Sequence, residues 1–241
     1  MRVSLFVTCL VDQLWPRVGV ATVNVLQRTG CTVEFEEGQT CCGQPAFNTG
    51  YLDHARTLAQ RWISLVEKST ADAIVLPSGS CTAMVHHFRT LFQEEPEWER
   101  RAQQAAKRTY ELSSFLVNML GVEDVGAVFN GRLAWHDACH TLRELGQREE
   151  PRRLLARVRG AEIVELDDGE SCCGFGGTFS VKYPEVSVSI LDHKIDAIRR
   201  AKVNAIVSSD TSCLMHIAGR LQRLDIPVRA LHLAEVLGET H

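Results

Sequence analysis

The sequence has no run of about 18 apolar residues, so no segment of it reads as a membrane-spanning helix. It has no excess of positive charge: the formal net charge is −4, which gives no basis for nucleic-acid binding or a polybasic membrane contact. It has no G-x-G-x-x-G fingerprint at a strand-to-helix turn and no Walker-type phosphate loop. A nicotinamide or flavin cofactor held by a Rossmann signature is therefore unsupported. The opening MRVSLFVTCLV is apolar but short, and it runs into Asp12, Gln13 and Trp15 without a small-residue cleavage site. It reads as a buried first strand and not as a signal peptide, which makes a cytoplasmic location the expectation.

What is present is ordinary in bulk and unusual in detail. The 241 residues, 45% apolar and 23% charged, suffice for one large globular domain or two small ones. The detail is nine cysteines. Disulfides rarely persist in a reducing compartment, so these thiols call for another explanation.

Eight of the nine fall into two series, Cys9, Cys41, Cys42, Cys81 and Cys139, Cys172, Cys173, Cys213, whose spacings differ by one residue at the first and last steps; only Cys31 is left over. The surroundings repeat too. An apolar run leads into each first cysteine (VSLFVTC, RLAWHDAC), and a helical pattern ending in glycine follows at 18–30 and 151–160. Alternating segments at 32–37 and 161–166 read as strands, and helices are expected at 51–68 and 185–202. ADAIVLPSGSC matches VNAIVSSDTSC, and ELSSFLVNMLG (111–121) matches HLAEVLG (232–238). The first copy carries an extra charged segment, FQEEPEWERRAQQAAKR, which reads as a solvated helix extension. The chain is a duplication: a first unit at 1–121, a linker at 122–131 and a second unit at 132–241. Strands alternating with helices predict an α/β fold, two similar subdomains with mainly parallel sheets related by a pseudo-two-fold axis.

In each unit the first cysteine ends strand one, the pair follows strand two, and the last follows strand three. These are the carboxyl ends of parallel strands, where α/β folds place ligands. Neighbouring side chains of an extended strand point to opposite faces, so a cysteine pair can aim at one centre only through a sharp turn. Gly43 and Gly174, directly after the pairs, can take the positive φ such a turn needs. Cys81 and Cys213 sit at expected helix starts, where N–H groups and the dipole favour a thiolate. Four thiolates suit an iron–sulfur cluster or zinc. The plainer reading, a buried small hydrophobe, fits a lone cysteine and is assigned to Cys31.

The motifs CCGQPAFNTGY, LPSGSC, HDACH and CCGFGGTFSVKYPEVS, spread over nearly the whole chain, resemble those of the cysteine-rich CCG-domain family. That family includes the cysteine-rich component of heterodisulfide reductase and related iron–sulfur oxidoreductases, and the resemblance is strongest to its lactate-utilisation branch. The resemblance implies a 4Fe–4S cofactor, one or two per chain, ligated by Cys9, Cys41, Cys42 and Cys81 and by Cys139, Cys172, Cys173 and Cys213. It also implies a subunit of a complex that oxidises L-lactate to pyruvate, with partner subunits that include an iron–sulfur protein. A zinc-stabilised docking subunit, or an oxidoreductase for glycolate or a disulfide, stands as the alternative. The fuller family pattern ends in C-x-x-C. Here Ser78 and Asp210 occupy its first position, leaving four sulfurs per site with Asp210 a possible extra ligand.

HDACH adds His136, Asp137 and His140 around Cys139. His140 can take a proton from a small hydroxy-acid substrate, or can hydrogen-bond its own loop; His136 reads as part of the strand. Arg143, Arg148, Arg152 and Arg153, interleaved with Glu144, Glu149 and Glu150, read as a solvated helix face, and His86 and His87 as helix-surface residues.

Overall fold

The computed structural model describes residues 1–240. The first half runs β1 (Arg2–Leu5), α1 (Cys9–Leu14), α2 (Pro16–Arg28), β2 (Thr32–Glu34), α3 (Gln44–Asn48), α4 (Leu52–Lys68) and β3 (Ala73–Leu76). It continues through α5 (Gly79–Leu91), α6 (Pro96–Lys107), β4 (Thr109–Glu111) and α7 (Leu112–Ser114), which passes into a π-turn at Phe115–Met119. The second half repeats it: β5 (Val128–Trp135), a π-turn (His140–Glu144), α8 (Glu149–Leu155), β6 (Arg159–Val164), α9 (Thr178–Lys182) and α10 (Pro184–Ala201). It closes with β7 (Ala205–Ser208), α11 (Thr211–Arg223), β8 (Arg229–His232) and α12 (Leu233–Gly238). No described helix is long and apolar enough to cross a membrane.

The strands form two four-stranded parallel sheets of equivalent order, β2-β1-β3-β4 and β6-β5-β7-β8. Strand β1 pairs Val3 with Val33 and Ser4 with Ile74, and β5 pairs Leu133 with Ile163 and Ala134 with Ile206. Both faces of each sheet are covered. Val3, Val75, Leu133, Trp135 and Val207 join one core together with α2, α8 and α12. Phe6, Ile74 and Leu76 pack under α4 and α5, and Ala134 and Ile206 under α10 and α11. The period-two alternation thus sends one set of strand residues to a core shared by both halves and the other to an outer layer.

The closing helices are exchanged. Helix α12 of the second half packs on α2 of the first, and α7 with its π-turn packs on α8 of the second. Arg28 ties the exchange by donating to the carbonyls of Val125, Leu237 and Gly238.

Three local expectations change. The helix expected at 151–160 stops at Leu155, and Gly160, at φ +78°, opens into β6 instead of ending a helix. A Cβ there would lie 2.4 Å from Asn130 Oδ1, so the glycine serves close pairing of β5 and β6. Strand β5 begins at Val128, inside the stretch read as linker. The charged insertion is a separate helix, α6, anchored by buried Ala102 and Ala105 and by Trp98 stacked on Phe92 at 5.7 Å. Its charges are solvated as expected, but one face is core.

Candidate metal centre

Each cysteine is placed by a local backbone device. Strand β1 ends at Leu5, and Cys9 is the first residue of α1, slightly beyond the strand end where the sequence put it. Gly43 takes φ +88° and Gly174 φ +84°, the left-handed turn required after each pair. Their N–H groups donate back to Cys41 Sγ at 3.4 Å and Cys172 Sγ at 3.2 Å. Cys81 and Cys213 lie in the first turns of α5 and α11.

Ser78 and Asp210, standing where the fuller motif has cysteine, are the N-caps of these two helices. Ser78 Oγ accepts from the Cys81 N–H at 3.2 Å. Asp210 Oδ1 accepts from Ser212 N–H and Oγ–H at 3.2 and 2.6 Å, and Oδ2 crosses to the other half to accept from Ser80 N–H at 2.8 Å. Both carboxylate oxygens are therefore engaged in capping, and Asp210, the possible extra metal ligand expected from the sequence, also lines the cavity that the cysteines share.

All eight thiols of the two series line a single cavity of about 380 Å³ between the halves. The sequence placed four sulfurs at the edge of each sheet; the structure turns the two edges toward each other. Within each half neighbouring thiols interact in a string, Cys9–Cys41–Cys42–Cys81 and Cys139–Cys172–Cys173–Cys213. Cys173 Sγ and Cys213 Sγ are 3.0 Å apart. Cys42, Cys81, Cys173 and Cys213 are buried, whereas Cys9, Cys41 and Cys139 are half-buried and Cys172 is exposed. Each site thus has an inner pair and an outer pair.

The strings polarise their thiols. Hydrogen bonds from Cys42 and Cys9, helped by the Gly43 N–H, outweigh burial and hold Cys41 down at about 3. Cys139 and Cys173, with the Gly174 N–H, hold Cys172 down at about 2. The donors Cys9, Cys42, Cys139 and Cys173 are pushed up, first by the bond they give to that thiolate, then at Cys42 and Cys173 by the interaction with Cys81 and Cys213, and then by burial. Each half therefore presents one ready thiolate cradled by neighbouring thiols, the form that binds metal. Eight convergent soft donors and an absence of disulfides fit a thiolate-ligated cluster or ion.

His140 lines the same cavity. Its Nδ1 is 3.6 Å from Cys139 Sγ and its Nε2 is 3.5 Å from Glu144 Oε1. Glu144 in turn meets His87 of the first half at 2.7 Å, so His87 bridges the halves in addition to lying on the helix surface. The arginines stand outside the cavity. Arg152 is not a solvated residue: it forks onto buried Asp137 at 2.9 and 2.8 Å and onto Glu165, bracing the HDACH loop. Cys31 sits in the shared core, apart from the other eight.

His136 is the residue the sequence undervalued. It follows β5 directly, is 1% exposed, and brings a ring nitrogen within 4.8 Å of both Cys173 Sγ and Cys213 Sγ. Burial, and then the charge of Lys194, depress its pKa to about 4, which keeps the imidazole neutral. The signal was in the duplication: the matching residue, three before Cys9, is Phe6.

Comparison with known proteins identifies the family. The CCG cysteine-rich domain matches the chain twice, over residues 3–86 and 133–218. Lactate utilization protein A of Bacillus velezensis is 50% identical over 237 residues, covering 98% of this chain and 99% of that protein. The proteins of the same name from Geobacillus thermodenitrificans and Bacillus subtilis are each 48% identical, over 98% of this chain. With the motif present twice and full-length relatives at this identity, the chain belongs to the CCG cysteine-rich-domain family, alongside the proteins named lactate utilization protein A.

Proposed function

We propose that the chain is an iron–sulfur subunit of a system that oxidises L-lactate to pyruvate, passing electrons between that reaction and partner subunits, one of them an iron–sulfur protein. The observation that carries this reading is the convergence of eight thiols, in two matched sets, on one cavity. The names of the full-length relatives support the substrate. The free thiols suit the reducing cytoplasm.

When bound, a cluster would supply one-electron transfer, which the oxidation of a hydroxy acid needs twice. The chain's own contributions are separable. Cys9, Cys41, Cys42 and Cys81, and their counterparts Cys139, Cys172, Cys173 and Cys213, act as ligands, the inner pair of each set screened from water. Gly43 and Gly174 hold the paired cysteines in one direction. Asp210 and Ser78 fix the helix ends that carry Cys213 and Cys81. His140, beside Cys139 on the cavity wall, is the group placed to accept a proton from a bound hydroxy acid, with Glu144 steadying its far nitrogen.

The test is anaerobic purification with iron and acid-labile sulfide analysis and visible absorption. Iron with matching sulfide is the expected result. A colourless protein that stays iron-free after reconstitution and binds zinc stoichiometrically would replace this reading with a zinc-stabilised docking subunit. Deleting the chain from its host should abolish growth on L-lactate; unimpaired growth would remove the substrate assignment and leave an oxidoreductase for another substrate, such as glycolate or a disulfide.

A further inference from the structure

The two cysteine sets match in sequence, but the ground beneath them differs. In the first half, Phe6 shares one apolar cluster with Cys42 and Cys81 and packs tilted against Trp62, with ring centres 5.6 Å apart. In the second half, the equivalent place beneath Cys173 and Cys213 is taken by His136. Its ring is buried, and neither nitrogen has a hydrogen-bond partner among the described residues. Leaving a buried polar group unpaired is costly, and natural interiors rarely tolerate it. An apolar ring fits the same position in the sister half, so packing does not explain the imidazole.

We propose that His136 is a nitrogen ligand to the metal held by the second cysteine set, so that the two centres of this chain are chemically distinct: one all-sulfur, the other mixed sulfur and nitrogen. The inference rests on the reading that the cysteines hold metal, but not on which metal. An imidazole nitrogen and two cysteine sulfurs converging within 4.8 Å form a donor set that suits both zinc and iron. Coordination satisfies one of the orphaned nitrogens. It also places a neutral donor where the first half can offer only thiolates, which lowers the negative charge at the second centre and raises its reduction potential above that of the first. The duplicated fold then carries two centres of unequal potential across one cavity, which gives electron flow between them a direction.

The experiment is pulsed EPR on protein reconstituted anaerobically with iron and sulfide and then reduced, prepared with natural-abundance and with nitrogen-15 histidine. A strong nitrogen coupling that changes with the isotope, survives H140Q and disappears in H136F is the expected result. H136F installs the residue that the first half already accommodates. Should it fail to fold, the isotope comparison on C41S protein, whose first set is disrupted, reads the same coupling from an otherwise native second half. Iron-loaded protein with no histidine coupling, or with a coupling that survives H136F, overturns the assignment. Protein that takes up no iron defeats the iron–sulfur reading alone. Cobalt(II) absorption then tests His136 separately: a band shift between wild type and H136F supports it, and identical spectra overturn it.

Discussion

Gly174 has almost no freedom to vary. Its φ of +84° disfavours any side chain, and a Cβ would sit 2.5 Å from the Ser187 carbonyl oxygen, under the first turns of α10. At Gly43 the φ is similar, but the nearest atom to a Cβ is Leu58 Cβ at 3.3 Å. Gly174→Ala is therefore expected to cost about 2–4 kcal/mol from strain and overpacking, and Gly43→Ala about 1–2 kcal/mol. Urea denaturation of the two variants checks the ranking, and equal costs would show that the clash is relieved by movement of α10. The need for a turn after each cysteine pair was legible in the sequence, because extended neighbours diverge. The unequal tightness was not, since it depends on a helix that packs back from further along the chain. Ligand substitutions should be as local. Cys41→Ser is expected to lower iron content by about half, with the second set still filled; total loss would mean that one centre spans both sets.

The elements that close each half show how equal positions diverge. Glu111 N-caps α7, its Oε2 accepting from Ser113 N–H at 2.7 Å, and His232 caps α12, its Nδ1 accepting from Ala234 N–H at 3.1 Å. Both are fully buried, and desolvation moves them oppositely. Glu111 is raised to about 7, burial outweighing its Ser113 and Ser114 hydrogen bonds, with Glu150 adding to the rise. His232 is lowered to about 4 by burial, against the Ser209 and Pro77 carbonyls and Asp210. A carboxyl raised in the folded state holds a proton that the unfolded chain releases, so Glu111 removes stability as pH climbs from about 4.5 to about 7. A histidine lowered in the folded state stays neutral while the unfolded chain protonates, so His232 removes stability as pH falls from about 6.5 to about 4. Relative to wild type, Glu111→Gln should therefore gain more at pH 8 than at pH 5, and His232→Asn more at pH 5 than at pH 8. The swing is on the order of 2 kcal/mol in each case. Denaturant midpoints at both pH values decide it, and parallel shifts would show that neither group titrates with folding. Sequence periodicity matched these two segments as counterparts. That they are buried caps of opposite charge tendency follows from the exchange of closing helices, which no local pattern announces.

The halves are joined by more than a linker. They share a core, exchange helices and meet at the starts of α5 and α11. There Gly79 N–H donates to the Ser209 carbonyl at 3.3 Å, and Thr141 Oγ1 leaves no room for a Cβ on Gly79. Asp210 caps its own helix and also offers an acceptor to the other half, whereas Ser78 serves only its own. Ser78→Ala is expected to cost roughly 1 kcal/mol, as an ordinary cap loss. Asp210→Ala should cost about 2–3 kcal/mol, because it strips two helix starts and leaves the buried Ser80 N–H unpaired. It should also weaken metal retention in both sets, where Ser78→Ala affects only the first. Thermal melts with metal analysis of each variant test this, and equal behaviour would reduce the cross-half contact to a local cap.

Duplication, parallel sheets, the carboxyl-end placement of the cysteines and the glycine turns were all written in the chain. They follow from periodicity, spacing and backbone sterics, which act over a few residues. The convergence of two sites on one cavity, the capping roles of Asp210 and Ser78, and the contrast of His136 with Phe6 beneath matched thiols arise only in the assembled fold. The relative orientation of the halves is set by the inner faces of both sheets burying against one set of helices. That burial is non-local, summed over residues far apart in sequence, and it alone determines which surfaces face each other.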